Sequence, residues 1–355
     1  MSIPARALWV RLPRFIGDAV MISQALEPLR EIGLPLVAWG GAGLLELFEG
    51  SNAFSAGAAD DPGKPTARAM AALLKQHQAS GVLCLPRSHR AILAALLAGL
   101  PQRVGWGEGL GWLLCSHSLA FNRLGGHQCE RYGVLLRKAF PDLPALETRP
   151  FIPRAESQVE ADRLLEDLDR PFVAIGVGAM SWNKQVRVPV WVALGQLLSK
   201  QGVALVLLGA GIEDQAMAGV IHQSVPGTLD LTGRTSLSVS AAILRRASGV
   251  VGGDSALCHL AGACGVPTVT IFGPTSPEFT AAPQPWARVL RRDDLPCLPC
   301  RRGDCRTEGH PCMTVVDPEA ILRELAEATK ALKSLPSRGV SPIKCNPVSF
   351  AGDRI

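Results

Sequence analysis

The stretch Val251–Thr280, VGGDSALCHLAGACGVPTVTIFGPTSPEFT, sets an acid, a hydroxyl, a histidine and several glycines between two apolar runs. Val250–Gly252 and Thr268–Phe272 have the length and composition of buried strands. Between them Gly253 and Asp254 form a turn, and Ser255 opens a helix carrying His259 about one turn further on. Strand, turn, helix, strand is the repeat of a parallel sheet covered by helices. In such a sheet strand ends and helix starts converge on one edge, where ligands bind.

The same pattern extends in both directions. Strands are expected at Ala7–Leu12, Pro35–Trp39 and Gly81–Leu85, with helices at Ala19–Ile32, Thr66–Ala79 and His89–Ala98. The Pro/Gly-rich segment Gly57–Pro65 separates two of these units, and the pattern blurs from Gly105 to Leu124. A helix begins near His127 and is ended by Pro141 and Pro144. Leu146–Arg154 has two prolines and no helical period, which places a linker there. Further strands follow at Phe172–Val177 and Ala204–Leu208. Asp317–Leu332 opens with Asp-Pro-Glu, an N-cap with proline in the first turn. The expectation is an α/β chain of two domains, residues 1–150 and 151–335, with a frayed tail at 336–355 and a cleft between the domains.

Composition narrows the functional classes. With 355 residues, 47% hydrophobic and 19% charged, the chain has ample apolar material for folded cores. Its net charge of +5 is spread along the chain, and a single tyrosine with 5% aromatics leaves little for base stacking, so no nucleic-acid partner is expected. A weakly basic surface could still approach anionic lipid. Arg6 and Arg11 interrupt the first apolar run, and nothing like a cleavage site follows. The longest apolar segment, Ala91–Leu100, is about half a bilayer span and is stopped by Pro101. Cys84, Cys258 and Cys264 lie in apolar runs, as reduced buried thiols do, so the cytoplasm is the expected compartment.

Four places can carry chemistry. In RFIGDAV, Gly17 and Asp18 follow the first strand, and Asp18 is either a helix N-cap or a carboxylate at the sheet edge able to accept a proton. In GVGAMSWNKQVRVP, Lys184 and Arg187 are either a solvated basic loop or donors to phosphate, with Gly176, Gly178 and Ala179 leaving room for a ligand. In LLGAGIED, Glu213 and Asp214 either complement a helix dipole or accept from ribose hydroxyls. In the opening stretch, the helix start at Ser255 could bind a phosphate oxygen, Asp254 could cap the helix or hold sugar hydroxyls, and Gly273 and Thr275 open a second loop on the same edge. Alone, His259 in CHLAGAC reads as a core histidine.

Taken together, IGDAV, GA...K...VP, LLGAGIED, LTGRTSL and DSALCHLAGACGVPTVTIFGPTSP resemble the glycosyltransferase family 9 heptosyltransferases, with weaker likeness in LPRSHRAILAALLAG and QRVGW. The resemblance spans roughly Ala7–Leu332. It implies a glycosyltransferase-B fold of two facing Rossmann-like domains, and transfer of heptose from ADP-heptose to the lipopolysaccharide inner core. It implies Asp18 as catalytic base, Lys184 on the donor phosphates, Glu213 or Asp214 on the ribose, and Asp254, Ser255 and His259 around donor phosphate and sugar. Val188 stands where tryptophan is usual, and Arg187 could share the lysine's role. Ala256 replaces a usual glycine and could narrow the space beside the donor sugar. The partners implied are a nucleotide sugar and a lipid-linked oligosaccharide, with peripheral association at the inner membrane. The implied mechanism is one inverting displacement that needs no metal if these charges suffice. Rival readings are a glycosyltransferase or epimerase using another nucleotide sugar, and a non-catalytic binding module.

Cys297, Cys300, Cys305 and Cys312, with His310 nearby, have spacings that could close one tetrahedral site for structural zinc or iron. The other reading is four reduced thiols on a surface loop.

Overall fold

In the computed structural model the described residues are 3–60, 65–109, 111–121, 124–334 and 341–342. The first half contributes strands β1 (Leu8–Arg11), β2 (Leu36–Gly40), β3 (Ala56–Ala59), β4 (Gly81–Cys84), β5 (Gln102–Trp106) and β6 (His117–Leu119). They form one parallel sheet in the order β3-β2-β1-β4-β5-β6. After the short β7 (Glu147–Thr148) come β8 (Phe172–Gly176), β9 (Ala204–Leu208), β10 (Leu229–Asp230), β11 (Gly249–Gly253), β12 (Thr268–Phe272) and β13 (Ala287–Arg291). These repeat the same order, β10-β9-β8-β11-β12-β13, again all parallel. The expected α/β class with two parallel sheets is what the chain adopts. Of the expected tail, residues 341–342 form β14, paired antiparallel with β7; the remainder of 336–355 lies outside the described residues.

Every interior strand of the two parallel sheets except β5 is visible as an apolar run. Ala204–Leu208 (ALVLL) and Thr268–Phe272 (TVTIF) are buried at every position. In the two parallel sheets the strands that the sequence pattern did not reveal are β5 and the four sheet edges, β3, β6, β10 and β13; the short pair β7 and β14 was not expected either. An edge strand has a neighbour on one side only, so it can be short or polar: β10 is two half-buried residues and β13 is ARVLR with Arg288 and Val289 exposed.

The sheet order reverses between β1 and β4 and again between β8 and β11, the points at which crevices open in this architecture. The two helices nearest those points, Ile16–Ala25 after β1 and Ala256–Ala263 after β11, pack against each other across the halves. One apolar cluster continues through them, from Ala19, Met21 and Ile22 to Leu260 and Ala261. Polar contacts tie the halves elsewhere: Glu46 accepts from Arg154 at 3.2 Å and from Ser236 at 2.8 Å. Within the first half, Arg149 of the expected linker meets Glu27 at 3.2 Å. The guanidinium of Arg131 lies between the Phe121 ring of the first half (4.7 Å) and the Phe279 ring of the second (5.1 Å).

Candidate active site

Asp18 is not a helix cap. Its helix begins at Ile16, and the N-cap is the extended Phe15, with no side-chain capping bond. Asp18 therefore lies in the first turn, free to face the second half. There it is close enough to His259, Asp254 and Lys184 for their charges to act on it. Burial raises its pKa above the usual carboxylate value, and the Asp254 charge adds to this; His259 and Lys184 pull the other way. The approach depends on Gly17, because a Cβ there would meet the His259 ring carbon Cδ2 at 2.7 Å.

Asp254 is the hub. It is 7% exposed, and it does not cap the following helix. Lys184 Nζ donates to its Oδ2 at 2.7 Å, Thr275 Oγ1 donates to the same oxygen at 2.7 Å, and His259 Nε2 stands 3.6 Å from Oδ1. Burial by itself would raise the Asp254 pKa, but His259 and Lys184 more than reverse this and hold it far below the usual range. Lys184 ends a short 3-10 turn, Trp182–Lys184, whose backbone passes so near Gly253 that a Cβ on that residue would meet the Lys184 carbonyl oxygen at 2.4 Å. Two buried atoms here lack a nitrogen or oxygen partner among the described residues: Ser255 Oγ, which has only the Cys258 sulfur nearby, and His259 Nδ1.

The other expected residues divide. Asp214 turns its carboxylate onto the backbone N–H groups of Ala210 (2.9 Å) and Gly211 (3.2 Å), so it fixes the loop before its helix. Glu213 is exposed, and its carboxylate has no partner among the described residues. Arg187 stacks its guanidinium on Trp182, 5.7 Å from the ring centre, and its charge also bears on His310. Gly273 backs onto Cys312 and Met313, while Ala256 opens its helix half-buried. Met180 on the loop after β8, Trp182 in the 3-10 turn and Ile212 at the start of the helix after β9 are exposed apolar side chains.

Two residues coupled electrostatically to the site had no chemical signal in the sequence. His127 caps helix Gln128–Ala139, its Nδ1 accepting from Cys129 N at 3.2 Å, and its Nε2 donates to the Ala281 carbonyl of the other half at 2.7 Å. That pattern needs the neutral ring, and burial lowers its pKa accordingly. Tyr132, buried on the same helix, accepts from Gln128 at 2.7 Å. Burial raises its pKa, and Asp18 adds to the rise. The reach of His127 to Ala281 exists only once the halves are docked.

Cys297, Cys300, Cys305 and Cys312 line one small cavity with His310. Burial and then the neighbouring Cys305, Cys297 and Cys300 push the Cys312 thiol up to about 11. Among the described residues no three ligand-type side chains converge as a metal site would require. The described cysteines are all free thiols, and Cys84, Cys258 and Cys264 are buried as expected.

Residues 67–310 match the family model described as glycosyltransferase family 9 (heptosyltransferase). The chain belongs to glycosyltransferase family 9. This family 9 protein is 25% identical over 341 residues to lipopolysaccharide heptosyltransferase 2 of Escherichia coli K12, covering 90% of this chain and 91% of that one. It is 26% identical over 262 residues to lipooligosaccharide heptosyltransferase 2 of Haemophilus influenzae, covering 69% and 75%. The solved structure of E. coli ADP-heptose lps heptosyltransferase II superposes with a TM-score of 0.77 at 21% identity, over 92% of this chain and all of that one. The two parallel sheets of this family 9 chain thus form the glycosyltransferase-B architecture.

Proposed function

We propose that the protein transfers heptose from ADP-heptose to the lipopolysaccharide inner core, at the cytoplasmic face of the inner membrane. Supporting this are family membership and relatives named as lipopolysaccharide heptosyltransferases. The observation that carries the mechanism is Asp18, a carboxylate of raised pKa on one half, facing Lys184, Asp254 and His259 on the other. Residues 1–150 hold the acceptor and 151–335 the donor. The donor diphosphate lies over the N-terminus of helix Ala256–Ala263, where free backbone N–H groups and the unpartnered Ser255 hydroxyl supply donors and Lys184 supplies charge. Glu213, rather than the occupied Asp214, receives the ribose hydroxyls. Asp254 and Thr275 hold Lys184 and the loop in place, and Ala256 limits room beside the sugar.

Asp18 takes the proton of an acceptor hydroxyl as its oxygen attacks the anomeric carbon. The C–O bond to the diphosphate breaks as the new one forms, with inversion. The departing negative charge is stabilised by Lys184 and the helix start rather than by an ion. A structural zinc or iron at the cysteine cavity is proposed on the spacing of Cys297, Cys300, Cys305 and Cys312 alone, since their side chains do not converge and would have to draw together around it; it stands apart from this chemistry. Elemental analysis of protein purified without added metal tests it; absence of stoichiometric metal refutes it.

ADP release from ADP-heptose with a delipidated core acceptor, compared with UDP-sugars, tests the assignment. Asp18→Asn is expected to lose about 10²–10⁴-fold in turnover with donor affinity nearly intact. Parental turnover by that variant, or consumption of UDP-sugars alone, overturns the reading.

A further inference from the structure

Residues 65–121 contain one acid, Glu108, against Arg68, Lys75, Arg87, Arg90 and Arg103. Elsewhere the two signs nearly balance, so the modest net charge of the chain conceals a strongly basic segment. Glu108 is itself engaged with Arg87 at 3.3 Å.

The same segment exposes apolar side chains that have no core to fill. Helix His89–Leu97 packs inward through Ala91, Ile92, Ala94 and Ala95, and turns Leu93, Leu96 and Leu97 outward at 37, 41 and 45% exposure. Their i, i+3, i+4 spacing makes one stripe. The short helix Gly111–Leu114 packs beside it and exposes Trp112 (55%) and Leu113 (80%). Arg103 ties the ends of the pair, donating to Leu114 O at 2.7 Å and to Leu100 O at 2.6 Å. Arg90 lies on the same helix as the leucines, and Arg68 and Lys75 on helix Ala67–Gln76, which packs against it; all three are exposed. Both helices follow the carboxyl ends of their strands, β4 and β5, the sheet edge on which Asp18 follows β1 and where Phe15 is 54% exposed.

We propose that this face seats on an anionic bilayer surface. Trp112 and Leu113 enter the headgroup region, the leucine stripe lies at the acyl boundary, and Arg68, Lys75 and Arg90 reach acidic headgroups along their flexible stems. A tryptophan and leucines with cations on the same and the adjoining helix match that surface in both polarity and charge, whereas a second copy of the same basic face would repel it. The proposal rests on the lipid-anchored acceptor for its purpose: a seated first half brings the Asp18 edge to a sugar whose anchor stays in the membrane.

The test is co-sedimentation with vesicles of phosphatidylethanolamine and phosphatidylglycerol, or of phosphatidylcholine alone, at about 0.1 M and about 0.5 M salt. The full chain is expected to bind the anionic vesicles at least tenfold more tightly than the neutral ones, and to release at high salt. Trp112→Ser/Leu113→Ser and Arg68→Glu/Arg90→Glu should each weaken binding at least tenfold, with unchanged turnover of a delipidated acceptor. Equal binding to both vesicle types, or variants that bind as the parent does, overturns the proposal. So does a parent dimer that becomes monomeric in the Trp112→Ser/Leu113→Ser protein. Vesicle binding uses no sugar nucleotide, so a chain that binds vesicles but ignores ADP-heptose sinks the transferase reading and spares this one.

Discussion

Gly17→Ala adds one methyl group where the two halves come closest. The new carbon would stand 2.7 Å from His259 Cδ2 and 3.3 Å from Nε2, the first about 0.7 Å inside van der Waals contact. His259 cannot swing away freely, because it is 8% exposed and its helix is buried along most of its length. Either the ring or the whole helix start must give. Helix propensity favours alanine over glycine by up to about 1 kcal/mol, against about 1–3 kcal/mol for overpacking, so the net loss of stability is small and the protein stays folded. The consequence for the site is larger. His259 Nε2 is already 3.6 Å from Asp254 Oδ1, and a displacement approaching 1 Å at reacting groups costs on the order of 10²-fold in rate. We expect kcat to fall about tenfold to a hundredfold, with donor affinity reduced much less because Lys184 and Thr275 are untouched. Steady-state kinetics with calorimetric donor titration and thermal melting check this. A Gly17→Ala enzyme with parental kcat would refute the reasoning that the two helix starts jointly build the site.

Lys184→Met leaves Asp254 buried with Thr275 and His259 only; we expect a loss of about 1–3 kcal/mol, read by urea unfolding, together with loss of donor binding. Asp254, whose folded pKa is depressed, contributes stability above its ordinary value of 3.8 that is lost as pH falls toward the folded value; without the lysine charge the folded pKa lies nearer the ordinary value, so this acid loss should be smaller and should end at a higher pH. His127 has the opposite group chemistry: its folded pKa lies below 6.5, so its contribution is full above that value and declines as pH falls beneath it. His127→Asn should flatten that decline in melting temperature between about pH 6.5 and 5. Arg131→Met and Phe279→Leu should be non-additive by about 0.5–1 kcal/mol in a double-mutant unfolding cycle; strict additivity would deny the stack a role in joining the halves.

The local chemistry of Asp18 could be read only with the halves in place. In the sequence a cap was the simpler account, and it fails because the chain enters the helix three residues earlier, at an uncapped Phe15. Glu213 and Asp214 were indistinguishable as neighbouring acids; backbone hydrogen bonds to Ala210 and Gly211 occupy one and leave the other. His259 read as a core histidine, and it is buried, but its burial is against Asp254 and Gly17 rather than an apolar layer.

By itself the sequence determined what depends on near neighbours: the interior strands other than β5 through continuous apolar runs, the turns through glycine, the cap of helix Pro318–Lys333 through Asp-Pro-Glu, and the family through spacings within Val251–Thr280. The tertiary structure decided the edge strands, the contact of Gly17 with His259, the reach of His127 to Ala281, and which carboxylates are free. Periodicity reports whether a residue faces a core. Contacts such as His127 to Ala281, 154 positions apart in sequence, arise only when two finished cores close on each other, and no local pattern encodes that.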